Sequence, residues 1–418
     1  MNTSKSRPGN HLAHGRIPEL DGIRAIAILL VIGCHYWGFC RLMWGLPAFG
    51  WVGVDIFFVL SGFLITSILI ELRRTESPIK TFYVRRVLRI FPIYYLMILL
   101  VSVASLAYRE HMVHAGWYVS RFLYLQSFRD SPALFREAFQ RLAGLKPQMS
   151  VLRRQPLPPA LPGATVGPWA NSLGAAWSLS VEEYFYILWA PIVIFLKSPR
   201  KIAAAAAAIF VLSAVVRYLG FGGLDDYLEF FCRVDPIMAG AALALFMKWR
   251  GRLQPESQNR WDRSAIALAL LLGGLLVGIF IYIHPVVGRE VRESPLFTVV
   301  GMPALAVLFA IALGWVVLHQ SGSSILLRIL RLRPVRYLGT ISYSLYLFHF
   351  PVYCCFIHLA GLIRFSGYFA DLSVSVAALA LSISLSALSW RYFETPILNL
   401  KERWAPTRAR VRLETVVN

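Results

Sequence analysis

The sequence predicts an all-α polytopic integral membrane protein with about ten transmembrane helices and both termini in the cytoplasm. Of its 418 residues, 57% are hydrophobic and only 15% are charged, and the mean hydropathy is +0.59. Apolar runs long enough to cross a bilayer recur along most of the chain. The formal net charge of +20 comes from basic residues that fall mainly in short segments between these runs, as expected beside anionic lipid.

The predicted helices follow the apolar runs in chain order. The second and ninth runs are the least uniform, since both carry many polar residues. The fifth contains six consecutive alanines, which favour a helix strongly. The ten predicted helices are 24–44, 50–71, 88–108, 173–196, 202–220, 229–248, 264–284, 297–319, 338–359 and 368–394.

Among the ionisable residues of the first run, Arg24 and His35 lie eleven positions apart. Basic residues precede it, as in an export signal, but the run continues past His35 without a small-residue cleavage site, which predicts a retained span. A separation of eleven residues is close to three helical turns, so both side chains share one face, roughly 16 Å apart along the axis. Ionisable groups at such depth indicate a functional site, and hydrogen bonding to neighbouring helices is the alternative.

A long polar connection, 109–172, follows the third helix. Its proline-rich piece 155–162 predicts an irregular loop, with short interfacial helices around 112–127 and 133–143. With a cytoplasmic N-terminus, the predicted cytoplasmic segments hold 26 Lys and Arg residues and the opposite side holds 12, of which 8 belong to this one loop. Because short loops dominate the positive-inside rule, the loop is predicted to lie outside and both termini inside.

Two kinds of site are not indicated by the sequence. The pI near 10.1 does not predict nucleic-acid binding, because no basic face or recognition module is visible. No metal site is predicted, since the cysteines lack metal-ligand spacing and are interpreted as small buried hydrophobic side chains. The five cysteines are Cys34, Cys40, Cys232, Cys354 and Cys355.

Several polar residues are expected near the middle of their helices. His35, Glu182 and His349 fall near mid-depth on the first, fourth and ninth helices. Depth alone favours a pairing of His35 with a carboxylate, the common general-base arrangement. For Asp55 and His349, interhelical hydrogen bonding is an equally good explanation. The residues considered for the lining of a substrate cavity are Asp55, Ser61, Tyr343 and His349.

A basic cluster is expected where the third helix begins. Arg85 and Arg89 are four residues apart, and Arg86 and Arg89 are three apart, so each pair shares a helix face. Guanidinium groups bind phosphates in a bidentate manner, which suits an anionic nucleotide such as coenzyme A. The alternative is an ordinary positive anchor at the end of a helix.

Six sequence blocks occur in order between residues 17 and 397. They are Leu20–Arg24 followed by His35, Trp51–Leu64, Arg85–Pro92, Trp177–Tyr186, Tyr337–Pro351 and Arg391–Pro396. In these blocks the chain resembles the membrane-bound acyltransferase family 3, whose members O-acylate bacterial surface carbohydrates and some other substrates. Any one block is weak evidence, and the ordered set is specific.

The resemblance implies acyl transfer from a cytoplasmic acyl-CoA, expected to be acetyl-CoA, to a hydroxyl of a carbohydrate or glycoconjugate. It implies that Arg24 and His35 are the paired essential residues, that Glu182 rather than Glu183 fills the acidic position, and that the basic cluster holds the donor. His35 either deprotonates the acceptor or carries the acyl group. Arg24 either holds the thioester end or counters developing negative charge.

The resemblance also implies a domain organisation. Residues 1–16 form a cytoplasmic tail, 17–397 the transmembrane acyltransferase domain, and 398–418 a basic cytoplasmic tail. The chain looks like the stand-alone form, without a C-terminal esterase-like domain. The expected location is a bacterial inner membrane, with membrane lipids as neighbours, and the oligomeric state stays open.

Three alternatives remain at this point. The acceptor is also compatible with a macrolide or a lipid. An exporter could use the same intramembrane charges as a relay, but it predicts inverted repeats and broken helices, and neither is visible. A purely structural scaffold would not need a histidine at mid-depth.

Overall fold

The computed structural model describes most of the chain between residues 17 and 406. The predicted tail 1–16, the residues beyond 406, the proline-rich piece and the predicted interfacial helix 133–143 lie outside the described residues. Of the other predicted interfacial helix, only 121–127 is described, as a turn that continues into the 3₁₀ helix Leu125–Phe128. The described residues are 17–36, 39, 46–107, 121–128, 172–220, 229–251, 255–287, 294–320 and 322–406.

The described segments fold into helices. Two further 3₁₀ helices are Leu46–Trp51 and Gly174–Ala176, and two segments, Phe297–Gly301 and Trp390–Glu394, are π-helical. The α-helices in chain order are α1 (Pro18–His35), α2 (Val52–Leu72), α3 (Pro78–Ala107), α4 (Trp177–Phe195), α5 (Pro199–Gly220), α6 (Phe230–Arg233), α7 (Asp235–Arg250), α8 (Pro255–Val287), α9 (Met302–Leu318), α10 (Ile325–Arg331), α11 (Arg333–Thr340), α12 (Ser342–Leu362), α13 (Tyr368–Ser389), α14 (Thr395–Asn399) and α15 (Lys401–Trp404).

Eight helical segments of the described residues are long and apolar enough to cross a membrane. They correspond to eight of the ten predicted helices, and the prediction of an all-α polytopic membrane protein is confirmed. The remaining two, the first and the sixth, are the helices α1 and α7. They differ from the others because α1 carries three charged residues among its 18 and α7 has only 16 residues.

Several helix boundaries differ from the predicted ones, most clearly those of α1 and α3. Helix α1 begins at Pro18, six residues before the predicted start, and ends at His35, where Tyr36 turns extended. Helix α3 begins at Pro78, ten residues early, so the basic cluster lies within a helix rather than at its start. A charged residue in the sequence indicates a helix end only if its side chain must reach water. Here Glu19 of α1 is buried and bonded to Arg331 at 2.5 Å.

Helices α2 and α7 cross at the centre of the bundle with their backbones in contact. A Cβ built on Gly62 would lie 1.8 Å from the carbonyl oxygen of Ile237, and one on Gly240 would lie 1.9 Å from that of Val59. Only glycine permits this approach, as is common where membrane helices pack closely. The crossing fixes the position of α2, which supplies one wall of the site described below.

Two buried ion pairs connect helices around this crossing. Arg233 donates to Asp55 of α2 at 2.7 Å, and Arg217 of α5 donates twice to Asp235 of α7, at 3.0 and 2.8 Å. All four side chains are almost completely buried. Because a lone buried charge is costly, each pair ties its two helices together.

Candidate active site: an arginine-lined cavity beside a histidine pair

A cavity of about 220 Å³ lies between α2, α3, α4 and α12, and α1 contributes one side chain. Its apolar wall comes mainly from the face of α2 that repeats every three or four residues, such as Val54, Phe57 and Leu64. The polar side chains of the lining are Arg24, Ser61, Arg86, Arg89, Ser178, Glu182, Glu183, Tyr186, Ser342, Tyr343 and Tyr346.

Three arginines converge on this cavity. Arg24, one and a half turns into α1, donates to Asp21 at 2.9 Å, and Asp21 is itself buried. The Arg86 guanidinium lies 5.3 Å from the ring centroid of Tyr186, within cation–π distance. Arg86 and Arg89 are one turn apart on α3, and Arg89 is the most exposed of the three, so the cavity opens on its side.

The carboxylate of Glu182 is held by two hydroxyl groups across the cavity. Ser61 of α2 donates to its Oε1 at 2.8 Å, and Tyr186, one turn further along α4, donates to its Oε2 at 2.7 Å. The next residue, Glu183, lines the same cavity. Two carboxylates therefore lie in the same cavity as the three cations, and both are contributed by α4.

A pair of imidazoles lies directly behind one end of the cavity. His35 Nδ1 and His349 Nε2 are 2.8 Å apart, and His349 Nδ1 lies 2.7 Å from the carbonyl oxygen of Tyr346. The hydroxyl of Tyr346 donates to the carbonyl oxygen of Ala175 at 2.7 Å and lies 2.6 Å from Ser178 Oγ. The order from the cavity outward is therefore Tyr346, His349 and then His35.

The structure brings most of the predicted site residues together. Six of them line one cavity: Arg24, Ser61, Arg86, Arg89, Glu182 and Tyr343. His35 and His349 contact each other and are not among the lining residues, but His349 contacts the lining residue Tyr346. His35 ends α1 instead of lying inside a longer helix, yet its contact with His349, about a third of the way along α12, keeps it within the bundle.

Three expectations about partners need correction. Asp55 does not line the cavity, because it forms the buried ion pair with Arg233. Arg85 points away from Arg86 and Arg89: it donates to the carbonyl oxygen of Ala405 at 2.9 Å and lies 3.5 Å from Glu402.

The third correction concerns the expected pairing of His35 with a mid-depth carboxylate. Glu182, the carboxylate on α4, bonds Ser61 and Tyr186. His35 instead meets a second imidazole, that of His349. Glu182 is therefore not the carboxylate partner that depth alone suggested for His35.

Sequence reasoning missed five polar residues of the lining: Ser178, Glu183, Tyr186, Ser342 and Tyr346. A signal for two of them was present. Tyr186 follows Glu182 by four residues, and Tyr346 precedes His349 by three, which are the spacings of neighbours on one helix face. Glu183 carried no such signal, because adjacent residues point about 100° apart and only a cavity that wraps around α4 can reach both.

The fold and the site define a polytopic helical membrane protein with an internal cavity that combines cations, carboxylates and a nearby imidazole pair. Such a set can bind an anionic substrate and transfer protons beside it. The chain belongs to the acyltransferase 3 family, whose acyltransferase domain matches residues 17–391. The match covers the whole bundle that surrounds the cavity, and the resemblance seen in the six sequence blocks is confirmed.

The curated proteins similar to the chain include three bacterial O-acetyltransferases or putative ones. Peptidoglycan O-acetyltransferase OatA of Listeria monocytogenes is 28% identical over 395 residues, which are 91% of this chain and 56% of the relative. Putative peptidoglycan O-acetyltransferase YrhL of Bacillus subtilis is 29% identical over 353 residues, 81% of this chain and 49% of the relative. O-acetyltransferase OatA of Staphylococcus aureus is 26% identical over 406 residues, 91% and 57%.

The chain spans about half the length of these relatives. No solved structure matches it. The similarity therefore covers the membrane bundle as a unit, and the roles of single residues rest on the geometry described above.

Proposed function

We propose that the chain is a membrane O-acyltransferase that moves an acetyl group from acetyl-CoA to a hydroxyl group of a carbohydrate or glycoconjugate. Family membership and the names of the three relatives support the reaction class. The observation that carries the proposal is geometric. Three arginines meet in one cavity, and that cavity ends against Tyr346, immediately in front of the His349–His35 pair.

The donor binds with its anionic part at the open end of the cavity. Ligand pockets usually measure about 300–1,000 Å³, so a cavity of about 220 Å³ holds only part of an acyl-CoA. The thioester end enters, and the nucleotide phosphates stay near the opening with Arg86 and Arg89. Arg24 lies deeper and faces the thioester end. Arg85 is left out of this role, because its guanidinium is engaged with α15 and Ala405.

The orientation expected from the basic residues fits this arrangement. It places both termini in the cytoplasm, where coenzyme A is available, and the loop 109–172 on the far side of a bacterial inner membrane. The cavity then opens to the cytoplasm. The acceptor reaches His35 from the opposite direction.

Glu182 acts on the cavity and not on His35. Its two oxygens hold Ser61 and Tyr186 in place, and its negative charge offsets part of the charge of the three arginines. Without this carboxylate, neighbouring guanidinium groups would repel one another in a site of low dielectric constant. Glu182 therefore keeps the donor cavity assembled.

His35 serves as the general base. It takes the proton of the acceptor hydroxyl while the oxygen forms a bond to the thioester carbonyl carbon. The carbon–sulfur bond then breaks, and the coenzyme A thiolate leaves and receives the proton from His35. A transient acyl group on His35 is the alternative route. In either route the acyl group must pass Tyr346, the lining residue that contacts His349.

The names of the relatives suggest which acceptor to test first. Two of them are named for peptidoglycan, so a peptidoglycan-type glycan is the acceptor proposed here. Mass spectrometry of surface glycans and secreted glycosides, with and without the gene, tests this choice. A mass difference of one acetyl group on a lipid or macrolide instead would replace the glycan.

The test of the reaction uses membranes that contain the full chain, radiolabelled acetyl-CoA and isolated peptidoglycan fragments. We expect acetyl transfer by the wild type and none by His35→Ala at an unchanged protein level. His319→Ala is the matched control, because His319 is exposed and lies at the end of α9. Full transfer by His35→Ala overturns the role of His35. Export of a glycan without any consumption of acetyl-CoA overturns the whole proposal.

A further inference from the structure

The hydrogen bonds around His349 determine where its proton lies. Its Nδ1 is 2.7 Å from the carbonyl oxygen of Tyr346, one turn earlier in α12. A carbonyl oxygen only accepts, so Nδ1 carries the hydrogen and donates. His349 is 0% exposed and lies among apolar helices, where the neutral ring is favoured over the charged one. Its Nε2 therefore holds a lone pair.

That lone pair points at His35. The Nε2 of His349 and the Nδ1 of His35 are 2.8 Å apart, so Nδ1 of His35 donates. The ring centroids are 5.1 Å apart and the planes differ by 20°. A hydrogen bond of 2.8 Å plus two ring radii of about 1.2 Å accounts for the 5.1 Å, so the bond lies along the line of centres and the rings meet edge to edge. This geometry is that of a well-directed bond.

We propose that His349 is a positioning residue that holds His35 in the tautomer with hydrogen on Nδ1, so that Nε2 of His35 is the base. The proposal rests on the function given above for His35. A histidine base needs its partner to fix both the tautomer and the ring orientation, and a carboxylate often does this. Here a neutral imidazole does so, which avoids burying an unpaired negative charge.

Other contacts keep His349 in position. Tyr36 donates from its hydroxyl to the carbonyl oxygen of His349 at 2.9 Å, and its ring stacks on Tyr353 at 4.2 Å. Phe350 packs against His35, with the two ring centroids 5.2 Å apart. Because Tyr36 directly follows His35, these contacts hold the end of α1 against α12 beside the histidine pair.

The same chain of bonds supports the protonated state of His35. When Nε2 takes the acceptor's proton, Nδ1 keeps its hydrogen and still donates to His349, so the charge is stabilised by a bond that already exists. The proton leaves from Nε2 to the coenzyme A thiolate. His349 gains and loses no proton in the cycle, which distinguishes a positioning residue from a relay.

Two substitutions of His349 distinguish the hydrogen-bond acceptor at its Nε2 from the hydrogen-bond donor at its Nδ1. In His349→Gln, the side-chain oxygen reaches the place of Nε2 and can accept from His35. In His349→Asn, the shorter amide reaches only the place of Nδ1. We expect His349→Gln to retain kcat within about tenfold and His349→Asn to lose about 100-fold, by analogy with the roughly 10–100-fold losses on removing the outer partner of a metal-bound histidine. The KM for acetyl-CoA stays unchanged in both.

The direct readout is nitrogen NMR of the wild-type protein with labelled histidine, with His35→Ala used to assign the His35 signals. We expect Nδ1 of His35 to be protonated in the wild type and in His349→Gln, and the tautomer to change in His349→Asn. His319→Asn is the matched control, since His319 Nδ1 also bonds a backbone carbonyl, that of Trp315, at 2.8 Å. It should alter neither kcat nor the His35 signals.

The outcomes distinguish this proposal from the function on which it rests. Hydrogen on Nε2 of His35 in the wild type overturns the role of His349, whatever the activity. Equal kcat for His349→Gln and His349→Asn also overturns it. Retained transfer by His35→Ala overturns the base itself, while the NMR result still decides whether His349 sets the tautomer. Should His349→Asn fail to fold, the wild-type spectrum by itself decides which nitrogen of His35 carries the hydrogen.

Discussion

The hydroxyl of Tyr346 lies 2.6 Å from Ser178 Oγ, and both residues line the cavity. The contact joins α12 to the start of α4, and Tyr346 also donates to the carbonyl oxygen of Ala175. Tyr346 shares the cavity lining with the three arginines, and its ring centroid lies 5.6 Å from that of His349. Tyr346 therefore limits how far a donor can enter before the acyl group reaches His35.

Shortening Tyr346 should lengthen the acyl group that the protein accepts. Tyr346→Ala removes the wall at the end of the cavity, so the kcat/KM for butyryl-CoA relative to acetyl-CoA should rise at least about tenfold, since each additional methylene contributes about 1–3 kcal/mol in a fitted pocket. Tyr346→Phe keeps the ring and is the control, and its ratio should stay near that of the wild type. A raised ratio in both variants would assign the limit to the hydroxyl and not to the ring.

The three arginines of the basic cluster should behave differently. Arg86→Ala and Arg89→Ala should each raise the KM for acetyl-CoA about tenfold or more, because each removes a charge-assisted contact to phosphate, worth about 1.5–3 kcal/mol. Arg85→Ala is the matched control on the same helix, and its KM should not change, because Arg85 bonds Ala405 and Glu402. Initial rates over a range of acetyl-CoA concentrations measure this. An equal effect of all three substitutions on the KM would indicate that the cluster is a general positive anchor at the membrane surface.

The Asp55–Arg233 pair should matter for stability rather than for donor binding. Asp55→Asn leaves a buried guanidinium without its charge partner, which costs about 3–5 kcal/mol. Asp262→Asn is the control, because the Asp262–Arg250 pair lies nearer the surface, with the Asp262 side chain 37% exposed, and such pairs contribute about 0–1 kcal/mol. Thermal unfolding in detergent should show a large fall in the melting temperature for Asp55→Asn and little change for Asp262→Asn. A normal melting temperature with a raised KM would place Asp55 in the donor site after all.

The crossing of α2 and α7 should tolerate no added methyl group. Gly62→Ala places a Cβ against the carbonyl oxygen of Ile237, so the helices must separate and the variant should lose folded protein. Gly278→Ala in α8 is the control, because nothing lies within 4 Å of a Cβ there and alanine favours a helix by about 1 kcal/mol. Fluorescence-detected size exclusion reports both. Comparable yields would mean that the crossing adjusts without cost.

The membrane fold was largely predictable because hydropathy is a local property. Eight of the ten predicted helices recur as long apolar segments, and α1 and α7 recur as helices that composition alone does not mark as spans. The early starts of α1 and α3 share one cause. Charged residues such as Glu19 and Arg86 suggest helix ends in the sequence, whereas in the fold they face an ion-pair partner or the cavity.

The candidate site was predictable in its membership and less so in its arrangement. Helical spacing correctly indicated that Arg86 and Arg89 share a face, but it could not show that Arg85 turns toward the end of the chain. Their positions along the predicted helices placed His35 and His349 at similar depths in the membrane. Depth could not show that they bond each other while Glu182 bonds Ser61 and Tyr186.

By itself the sequence determined the class of the protein, the course of its helices and the residue types available for chemistry, because these depend on composition and on the helical repeat. The tertiary structure alone decided which charges meet. Partner choice depends on how α1, α2, α4 and α12 are packed, and residues more than a hundred positions apart, such as Ser61 and Glu182, become neighbours only there. For the same reason, the tautomer inferred for His35 follows from a backbone carbonyl on α12, at the other end of the sequence.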